Sequence, residues 1–211
     1  MPYLVIAGII VITLLFFKSA TGKGILGELD VRVVLGSNKE KKNKYVVNNL
    51  TFFDGKKSVQ IDHILINPQG IHVIETKNYA GRIYGREQDE EWTQVLAYGK
   101  VKNKFYNPVR QNAGHIYALK QVLNLDYNYY SYVVFTKKAE LKVSSTNTLV
   151  LPSYLLRRNI NKRATDKVLK SEEVVFIYNK LLDLKKGNTI TKREHVKSIN
   201  ERIARRNNEK N

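Results

Sequence analysis

The sequence predicts an α/β fold in which a mixed central sheet is flanked by helices. Three observations predict it: a helical pattern near the N-terminal end, three successive strand patterns between residues 45 and 77, and a second helix followed by a further strand. Helical patterns that alternate with strand patterns are typical of layered α/β domains. The hydrophobic content of 43%, with 13 Tyr and 7 Phe, is sufficient for a folded core.

The first half of the predicted core is a helix followed by three strands. Residues 24–35 carry apolar side chains at helical spacing and end before Gly36, although valines in the second half of this segment also suit a strand. Strand patterns follow at residues 45–53, 59–67 and 70–77. Asn67, Pro68 and Gly70 occupy positions i, i+1 and i+3 of a type I turn, so the last two strands are predicted to form a hairpin.

The clearest helix signal comes after the three strands. Residues 81–85 favour an additional edge strand, and the acidic run at 87–91 is interpreted as a solvated loop. Asn107 then precedes Pro108, which predicts an N-cap and a first helical residue for a helix over 109–123.

The remaining elements complete the predicted order of helix, three strands, helix and strand. Residues 130–136 form an apolar run typical of a buried strand, and residues 148–151 predict another short strand. A last helix is predicted over 171–184, with Ser171 as its cap and two glutamates in its first turn.

The N-terminal segment predicts a membrane anchor. Residues 2–17 carry no charge and would span roughly 25 Å as a helix, slightly less than a ~30 Å hydrocarbon core. A cleaved signal peptide is the alternative, but no basic residue precedes the apolar run and no small-x-small cleavage site follows it. Lys18 and Lys23 lie on the C-terminal side, so the positive-inside rule predicts a single-pass protein of the cell membrane with its domain in the cytoplasm.

Composition excludes several kinds of site and favours a polyanionic partner. The chain contains no cysteine, so disulfides and thiolate chemistry are excluded, and its four histidines show no close metal-binding spacing. The net charge of +17 favours nucleic acid or anionic lipid head groups as partners. The excess is concentrated at residues 137–170, with nine basic and two acidic side chains, and at 185–211, with nine and three.

The strongest chemical signal is an acid on one predicted strand and an acid-x-lysine on the next. Asp62 lies on the second strand among isoleucines, and strand alternation would give it the same face as Ile64 and Ile66. Glu75 and Lys77 share one face of the third strand, roughly 6.5 Å apart. A charge on an apolar strand is costly unless it is paired or bound to metal.

These residue types suit metal-assisted hydrolysis of a phosphodiester. Mg²⁺ is usually held by one or two carboxylates with water and substrate phosphate, which predicts Asp62 and Glu75 as ligands and the Thr76 carbonyl as an additional one. Mn²⁺ suits the same oxygen ligands. Lys77 would orient water and stabilise developing charge. The alternative is an Asp-Lys-Glu ion-pair cluster without catalysis.

Three sequence runs resemble the nuclease-related domain (NERD) family. The runs are IDHILI at 61–66, GIHVIETKN at 70–78 and NPVRQ at 107–111, and Gly27-Glu28 matches the early Gly-Glu of that family. The resemblance covers roughly residues 24–123 and implies a restriction-endonuclease-like αβββαβ core of the PD-(D/E)xK superfamily. It implies that Glu28 is a further metal ligand and that Gln111 lies at the mouth of the site. Gln111 shares a helical face with His115. For His115 a packing role is preferred. For Gln111 the alternative is a residue at the helix start that bonds free backbone amides.

The chain is predicted to consist of five parts. The predicted parts are a transmembrane anchor at 1–18, a linker at 19–24, a nuclease-like core at 25–136, a basic extension at 137–187 and a basic tail at 188–211 that is helical and frays toward its end. The function expected is a membrane-anchored nuclease that depends on Mg²⁺ or Mn²⁺ and cleaves DNA or RNA, with DNA favoured. Two alternatives remain open: a binding module that holds nucleic acid without cleaving it, with tyrosines at 127–132 stacking on bases, and a tail that contacts lipid head groups.

Overall fold

We describe a computed structural model of the chain for residues 15–16, 19–136, 138–163 and 168–187. Apart from Leu15 and Phe16, the predicted membrane anchor at residues 2–17 lies outside these described residues, as does the predicted basic tail at 188–211. Within the described part of the chain, no helix combines the length and the apolar character needed to cross a membrane.

Among the described residues, the structure contains four α-helices and nine strands, together with two short 3₁₀ helices at Glu40–Lys42 and Ala97–Gly99. The helices are α1 (Ala20–Leu35), α2 (Pro108–Leu123), α3 (Ser153–Asn161) and α4 (Ser171–Gly187). The first strands are β1 (Tyr45–Phe53), β2 (Ser58–Asn67), β3 (Gly70–Lys77), β4 (Gly81–Arg86) and β5 (Glu91–Leu96). The remaining strands are β6 (Val101–Tyr106), β7 (Tyr129–Phe135), β8 (Ala139–Ser144) and β9 (Thr148–Pro152).

The strands form two sheets. One has five strands in the order β1-β2-β3-β7-β9, and the other has four strands in the order β6-β5-β4-β8. The pairs β1–β2 and β2–β3 are antiparallel, as predicted, whereas β4 pairs with β5 in antiparallel and with β8 in parallel orientation. The predicted α/β fold is confirmed, but the strands form two sheets and not the single mixed central sheet that was predicted.

The chain divides into two compact units. The first comprises Met1–Gly36, Thr76–Asn107 and Val133–Lys162, and the second comprises Ser37–Glu75, Pro108–Tyr132 and Arg163–Asn211. The predicted core at 25–136 contributes to both units, so the predicted division between a core and a separate extension does not follow this partition.

The second unit has a continuous hydrophobic core. Apolar residues of β1, β2 and β3 pack against the apolar faces of α2 and α4. Leu119 of α2 and Ile177 of α4 are fully buried in this cluster together with Ile64 of β2. Burial of this kind contributes roughly 1.5–3 kcal/mol for each large aliphatic side chain.

The first unit is organised around Trp92 of β5, which is fully buried. Its indole Nε1 donates to the carbonyl of Arg86 at 2.9 Å, and its ring lies edge-on to Phe105 with centroids 6.3 Å apart. Gly85 of β4 lies against the same indole, since an added Cβ would be 2.2 Å from Trp92 Cδ1. A side chain at this position would therefore displace the core of this sheet.

Two sequence-based assignments were wrong in detail. The predicted linker at 19–24 is helical from Ala20, because the Ser19 side chain accepts from Gly22 N at 3.1 Å and caps α1. The acidic run at 87–91 is not a simple solvated loop. The Nδ2 of buried Asn107 donates to carbonyls of this run, including that of Asp89 at 2.7 Å, and β5 begins at Glu91.

Glu87 in the same run holds a neighbouring loop. Its carboxylate accepts from the backbone N–H of Thr146 at 2.7 Å, from the Thr146 hydroxyl at 2.8 Å and from the Asn147 amide at 3.0 Å. These hydrogen bonds, those of Thr146 above all, lower the pKa of Glu87 to about 2.

Candidate active site

The β2–β3 hairpin brings the two predicted carboxylates to neighbouring positions on adjacent strands. Its turn is closed by the Asn67 side chain, whose oxygen accepts from Gln69 N at 3.1 Å. The ladder then runs from the pair Asn67 and Gly70 to a last pair formed by residues 63 and 74. Asp62 and Glu75 are the next residues on the two strands, so the register continued by one step puts them opposite each other.

The two carboxylates differ in burial. Glu75 is only 2% exposed, whereas Asp62 is half-buried. Burying a carboxylate to this degree is costly unless hydrogen bonds, a charge or a metal compensate it. Hydrophobic packing therefore does not explain why carboxylates are placed at these two positions.

The ladder becomes irregular at Asp62. Ile61 and Ile64 both point into the core, so the strict alternation that the sequence suggested for Asp62 and its isoleucine neighbours is interrupted. On β1 the residue facing this point is Asn49, which has a positive φ of 51° and no ladder pair although its neighbours are paired. Local irregularities of strands are frequent next to active sites, where they re-aim a side chain.

Helix α2 places His115 beside Glu75 and carries a second polar side chain, Gln111, one turn earlier. His115 Nδ1 lies 3.5 Å from Glu75 Oε2, and both side chains are largely buried. Gln111 precedes His115 by four residues, shares its helical face and is half-buried. The structure thus gives His115 an acidic neighbour in addition to the packing role that the sequence favoured.

Asn112 fixes this part of α2, and sequence reasoning missed it. Its fully buried Nδ2 donates to the carbonyls of Val73 at 3.0 Å and Tyr132 at 3.2 Å, and to the Ser131 hydroxyl at 2.8 Å. These acceptors belong to β3 and β7, so one amide ties the helix start to two strands. An asparagine inside an otherwise helical pattern was the available signal, since a buried amide must find partners.

The other predicted site residues lie at the end of β3 and on α1. The Lys77 carbonyl accepts from Thr136 N at 3.1 Å, while the side chains of Thr76 and Lys77 are half-buried. Asn78 follows, and its Nδ2 donates to the carbonyl of Lys23 at the start of α1 at 2.5 Å.

Gly27 allows α1 to approach this segment. An added Cβ on Gly27 would be 2.7 Å from Asn78 Cβ, so only a residue without a side chain permits the contact. Glu28 is the next residue and is half-buried. The close approach of Asn78 therefore explains why residue 27 is a glycine. Glu28, the next residue of α1, supplies a carboxylate.

Two buried histidines of β2 and β3, His63 and His72, lie within hydrogen-bond distance of polar side chains of the protein. His72 of β3 is fully buried, with Nε2 at 2.9 Å from Asn67 Oδ1 and Nδ1 at 3.2 Å from the Tyr132 hydroxyl. Burial, and secondarily the charge of Arg163, lowers the pKa of His72 to about 3, so its imidazole is neutral at physiological pH. His63 of β2 has Nδ1 at 2.7 Å from the side-chain oxygen of Asn48.

The two carboxylates of the site match a hard divalent cation, both in the kind of donor atom and in their number. Asp62 and Glu75 supply oxygen ligands, and Mg²⁺ commonly takes one or two protein carboxylates. Among the described residues, no group of three or more His, Asp and Glu side chains is arranged to hold a metal ion. The fit therefore depends on the carboxylate pair, with remaining positions left to water and phosphate.

Comparison with known proteins gives two matches. The family profile described as nuclease-related domain matches residues 23–136. A protein of Bacillus anthracis, itself named as uncharacterized, is 35% identical over 187 residues, which cover 87% of this chain and 86% of that protein. No solved structure matches the chain.

Proposed function

Because the chain belongs to the nuclease-related domain family, we propose that it is a metal-dependent nuclease that hydrolyses phosphodiester bonds of DNA or RNA. The observation that carries the proposal is the register of the β2–β3 hairpin, which, continued one step beyond its last pair, puts Asp62 opposite the deeply buried Glu75. A family match covering just over half the chain supports nuclease-related chemistry, and the carboxylate pair supplies residues for it.

The proposed roles follow from the residue types. Asp62 and Glu75 would hold Mg²⁺ or Mn²⁺, with the Thr76 carbonyl, water and substrate phosphate in the remaining positions, and the ion would supply Lewis-acid stabilisation of the phosphate. Lys77 follows Glu75 by two residues on β3, so its ammonium group can orient water and stabilise charge that develops on a phosphate oxygen.

Two residues of α2 would support these groups. His115, 3.5 Å from Glu75, restrains that carboxylate, and Gln111 one turn earlier would contact substrate or water at the site entrance. Both are positioned by the buried amide of Asn112 between them in the sequence.

The decisive experiment measures cleavage and metal binding in parallel. The full chain, purified in non-ionic detergent, is incubated with labelled single- and double-stranded DNA and RNA in Mg²⁺, Mn²⁺ or EDTA. We expect cleavage that needs the metal and falls at least about a hundredfold in Asp62→Asn and Glu75→Gln, since loss of one charge-stabilising group typically costs 10²–10³. Calorimetric titration with Mn²⁺ should lose its binding event in the same variants.

Asp183→Asn is the matched control, because Asp183 is an exposed acid on α4. It should leave both cleavage and Mn²⁺ binding unchanged. Cleavage that persists in EDTA and in Asp62→Asn would refute the metal mechanism. Nucleic-acid binding without any metal-dependent cleavage would instead favour a non-catalytic binding module.

We also propose that residues 2–17 anchor the protein in the cell membrane with the domain on the cytoplasmic side. The support is the run of sixteen uncharged residues followed by Lys18 and Lys23. Deletion of residues 2–17 should move the protein from the membrane fraction to the alkaline-carbonate supernatant. Recovery of the full chain in that supernatant would refute the anchor.

A further inference from the structure

The four-stranded sheet of the first unit has one solvent-exposed face. Along β4, Arg82, Tyr84 and Arg86 are exposed, while Ile83 between them is fully buried. The buried side of the same sheet carries Trp92. An antiparallel or mixed sheet with one packed and one solvated side normally shows polar residues outside, and here the outside carries cations and tyrosines.

The strand registers align these side chains in rows across the sheet. One row joins Arg82 to Val95 and Lys102, and the next joins Tyr84 to Thr93 and Lys104. On the other side of β4, Arg82 is opposite Glu140 and Tyr84 is opposite Lys142. We call this surface the sheet face; its cations and tyrosines are Arg82, Tyr84, Arg86, Lys102, Lys104, Tyr106 and Lys142, and its acids are Glu91 and Glu140.

The cations of the sheet face remain accessible despite their ion pairs. Glu140 lies 3.2 Å from Arg82 and 3.1 Å from Lys142, so one carboxylate is shared by two cations, and both cationic side chains are more than half exposed. Lys104 is 3.8 Å from Glu91 and its side chain is 74% exposed. Exposed ion pairs contribute little free energy, so phosphate groups can compete for these cations.

Two tyrosines lie between the cations. Tyr84 is 40% exposed and Tyr106 is 46% exposed. Tyr84 is on β4 and Tyr106 is on β6, two strands away and two residues further along the register. At ordinary sheet spacings their Cα atoms are separated by roughly 12 Å. A shallow depression beside Tyr84 is lined by Arg86, Lys142 and Ser144, and also by Asp89, which lies 3.3 Å from the 74% exposed Arg86 side chain. An aromatic ring beside two largely exposed cations offers both a stacking surface and a phosphate contact.

We infer that the sheet face binds single-stranded nucleic acid, with Tyr84 and Tyr106 stacking on bases and the flanking lysines and arginines contacting phosphates. The charge of the face is complementary to a polyanion, and the chain as a whole carries +17. Stacking on a sheet requires bases that are not already stacked in a duplex, which selects a single strand. The inference deepens the proposed function by naming the form of nucleic acid held, but binding is tested apart from cleavage.

Binding is measured with the full chain in non-ionic detergent and EDTA, using the fluorescence anisotropy of a labelled oligonucleotide of about 20 nucleotides. Tyr84→Leu combined with Tyr106→Leu should weaken binding to the single strand at least tenfold, whereas Tyr84→Phe with Tyr106→Phe should keep the affinity within about threefold, because the rings are retained. Lys102→Ser with Lys104→Ser should lower the slope of log K against log salt by about 1.4, since each single-strand phosphate contact contributes about 0.7.

Matched controls lie on the other unit. Tyr117→Leu removes a 68% exposed tyrosine from α2, and Lys56→Ser with Lys57→Ser removes two exposed lysines from the β1–β2 turn. Neither should change the affinity or the salt slope. Trp92, the single tryptophan of the sequence, lies beneath the sheet face, so its unchanged emission verifies that the variants are folded.

Three results would overturn the inference. One is a loss in the tyrosine variants no greater than in the controls. Another is duplex DNA bound as tightly as the single strand. A third is single-strand affinity unchanged in the lysine pair while binding to vesicles of anionic phospholipid falls, which would assign the face to a lipid surface. If cleavage fails but these variants behave as expected, the proposed nuclease activity is wrong and the binding surface stands.

Discussion

Replacing Asn112 by alanine should destabilise the second unit by about 2–5 kcal/mol. The amide is fully buried and donates to two backbone carbonyls and to the hydroxyl of Ser131 at distances of 2.8–3.2 Å. Alanine keeps the helix but removes both N–H groups, and each buried acceptor left without its donor costs about 1–3 kcal/mol. Such a loss is a large fraction of the typical stability of a folded domain.

Urea unfolding followed by far-UV circular dichroism measures this loss. Arg110→Ala is the control, because Arg110 is an exposed residue in the first turn of the same helix and its loss should change the free energy of unfolding by no more than about 0.5 kcal/mol. Asn112→Asp adds a second comparison, since it preserves side-chain size but removes the donor and should be at least as destabilising as alanine.

Loss of Asn112 should also reduce cleavage under conditions where the variant is still folded. Gln111 and His115 flank Asn112 on α2, and His115 lies 3.5 Å from Glu75. A helix start that is no longer tied to β3 would let both side chains drift from the carboxylate, and small misplacements of supporting groups are costly in catalysis. A variant within 1 kcal/mol of the wild-type stability, or fully active while folded, would refute this account of Asn112.

Two further predictions concern packing and pH. Gly85→Ala should lower the free energy of unfolding by about 1–3 kcal/mol and shift the emission of Trp92, since its Cβ would lie 2.2 Å from the indole. Gly114→Ala, whose added Cβ on α2 would meet no atom within 4 Å, should raise the free energy of unfolding by about 0.5–1 kcal/mol. The opposite order of stability would contradict the close packing of Gly85 against the indole. The pKa of Glu87 is lowered to about 2, so its stabilisation is fully present above about 4.5 and is lost as pH falls through about 2. Glu87→Gln should therefore melt at a lower temperature than wild type at pH 7, with the difference closing below pH 4.5; a constant difference would exclude ionisation as its cause.

The elements that were predicted well have strong local signals. The β2–β3 hairpin followed from a turn sequence and two alternating runs, and α2 followed from Asn107-Pro108 before an apolar stripe. In each case neighbouring residues determine the conformation, so no knowledge of distant contacts is needed.

The missed elements depend on contacts between distant segments. β6 is an edge strand in which nearly every residue is exposed, so its sequence lacks the alternation that marks a strand. β8 pairs in parallel with β4 across more than fifty residues of sequence, and α3 is only nine residues long. Edge position, non-local pairing and short length each remove the periodic signal on which sequence reasoning relies.

The candidate site shows the same division. Asp62, Glu75 and Lys77 were selected because charged residues on apolar strands are costly and therefore need a reason. Asn112 was not selected, because an asparagine in a helix is unremarkable until its burial and its three acceptors are seen. Its role depends on two strands that α2 meets only after folding.

The irregularity at Asp62 connects the fold to the proposed chemistry. Unbroken alternation would bury Asp62 with its isoleucine neighbours, where an ionised carboxylate is least tolerable. Instead, both Ile61 and Ile64 enter the core, and Asn49 opposite adopts a left-handed conformation that asparagine tolerates better than most residues. The half-buried carboxylate that results can accept a cation or a hydrogen bond from outside the core, beside a Glu75 that the same core encloses. This combination would suit a metal-dependent site, in which carboxylates are held in place while water and phosphate take the remaining positions.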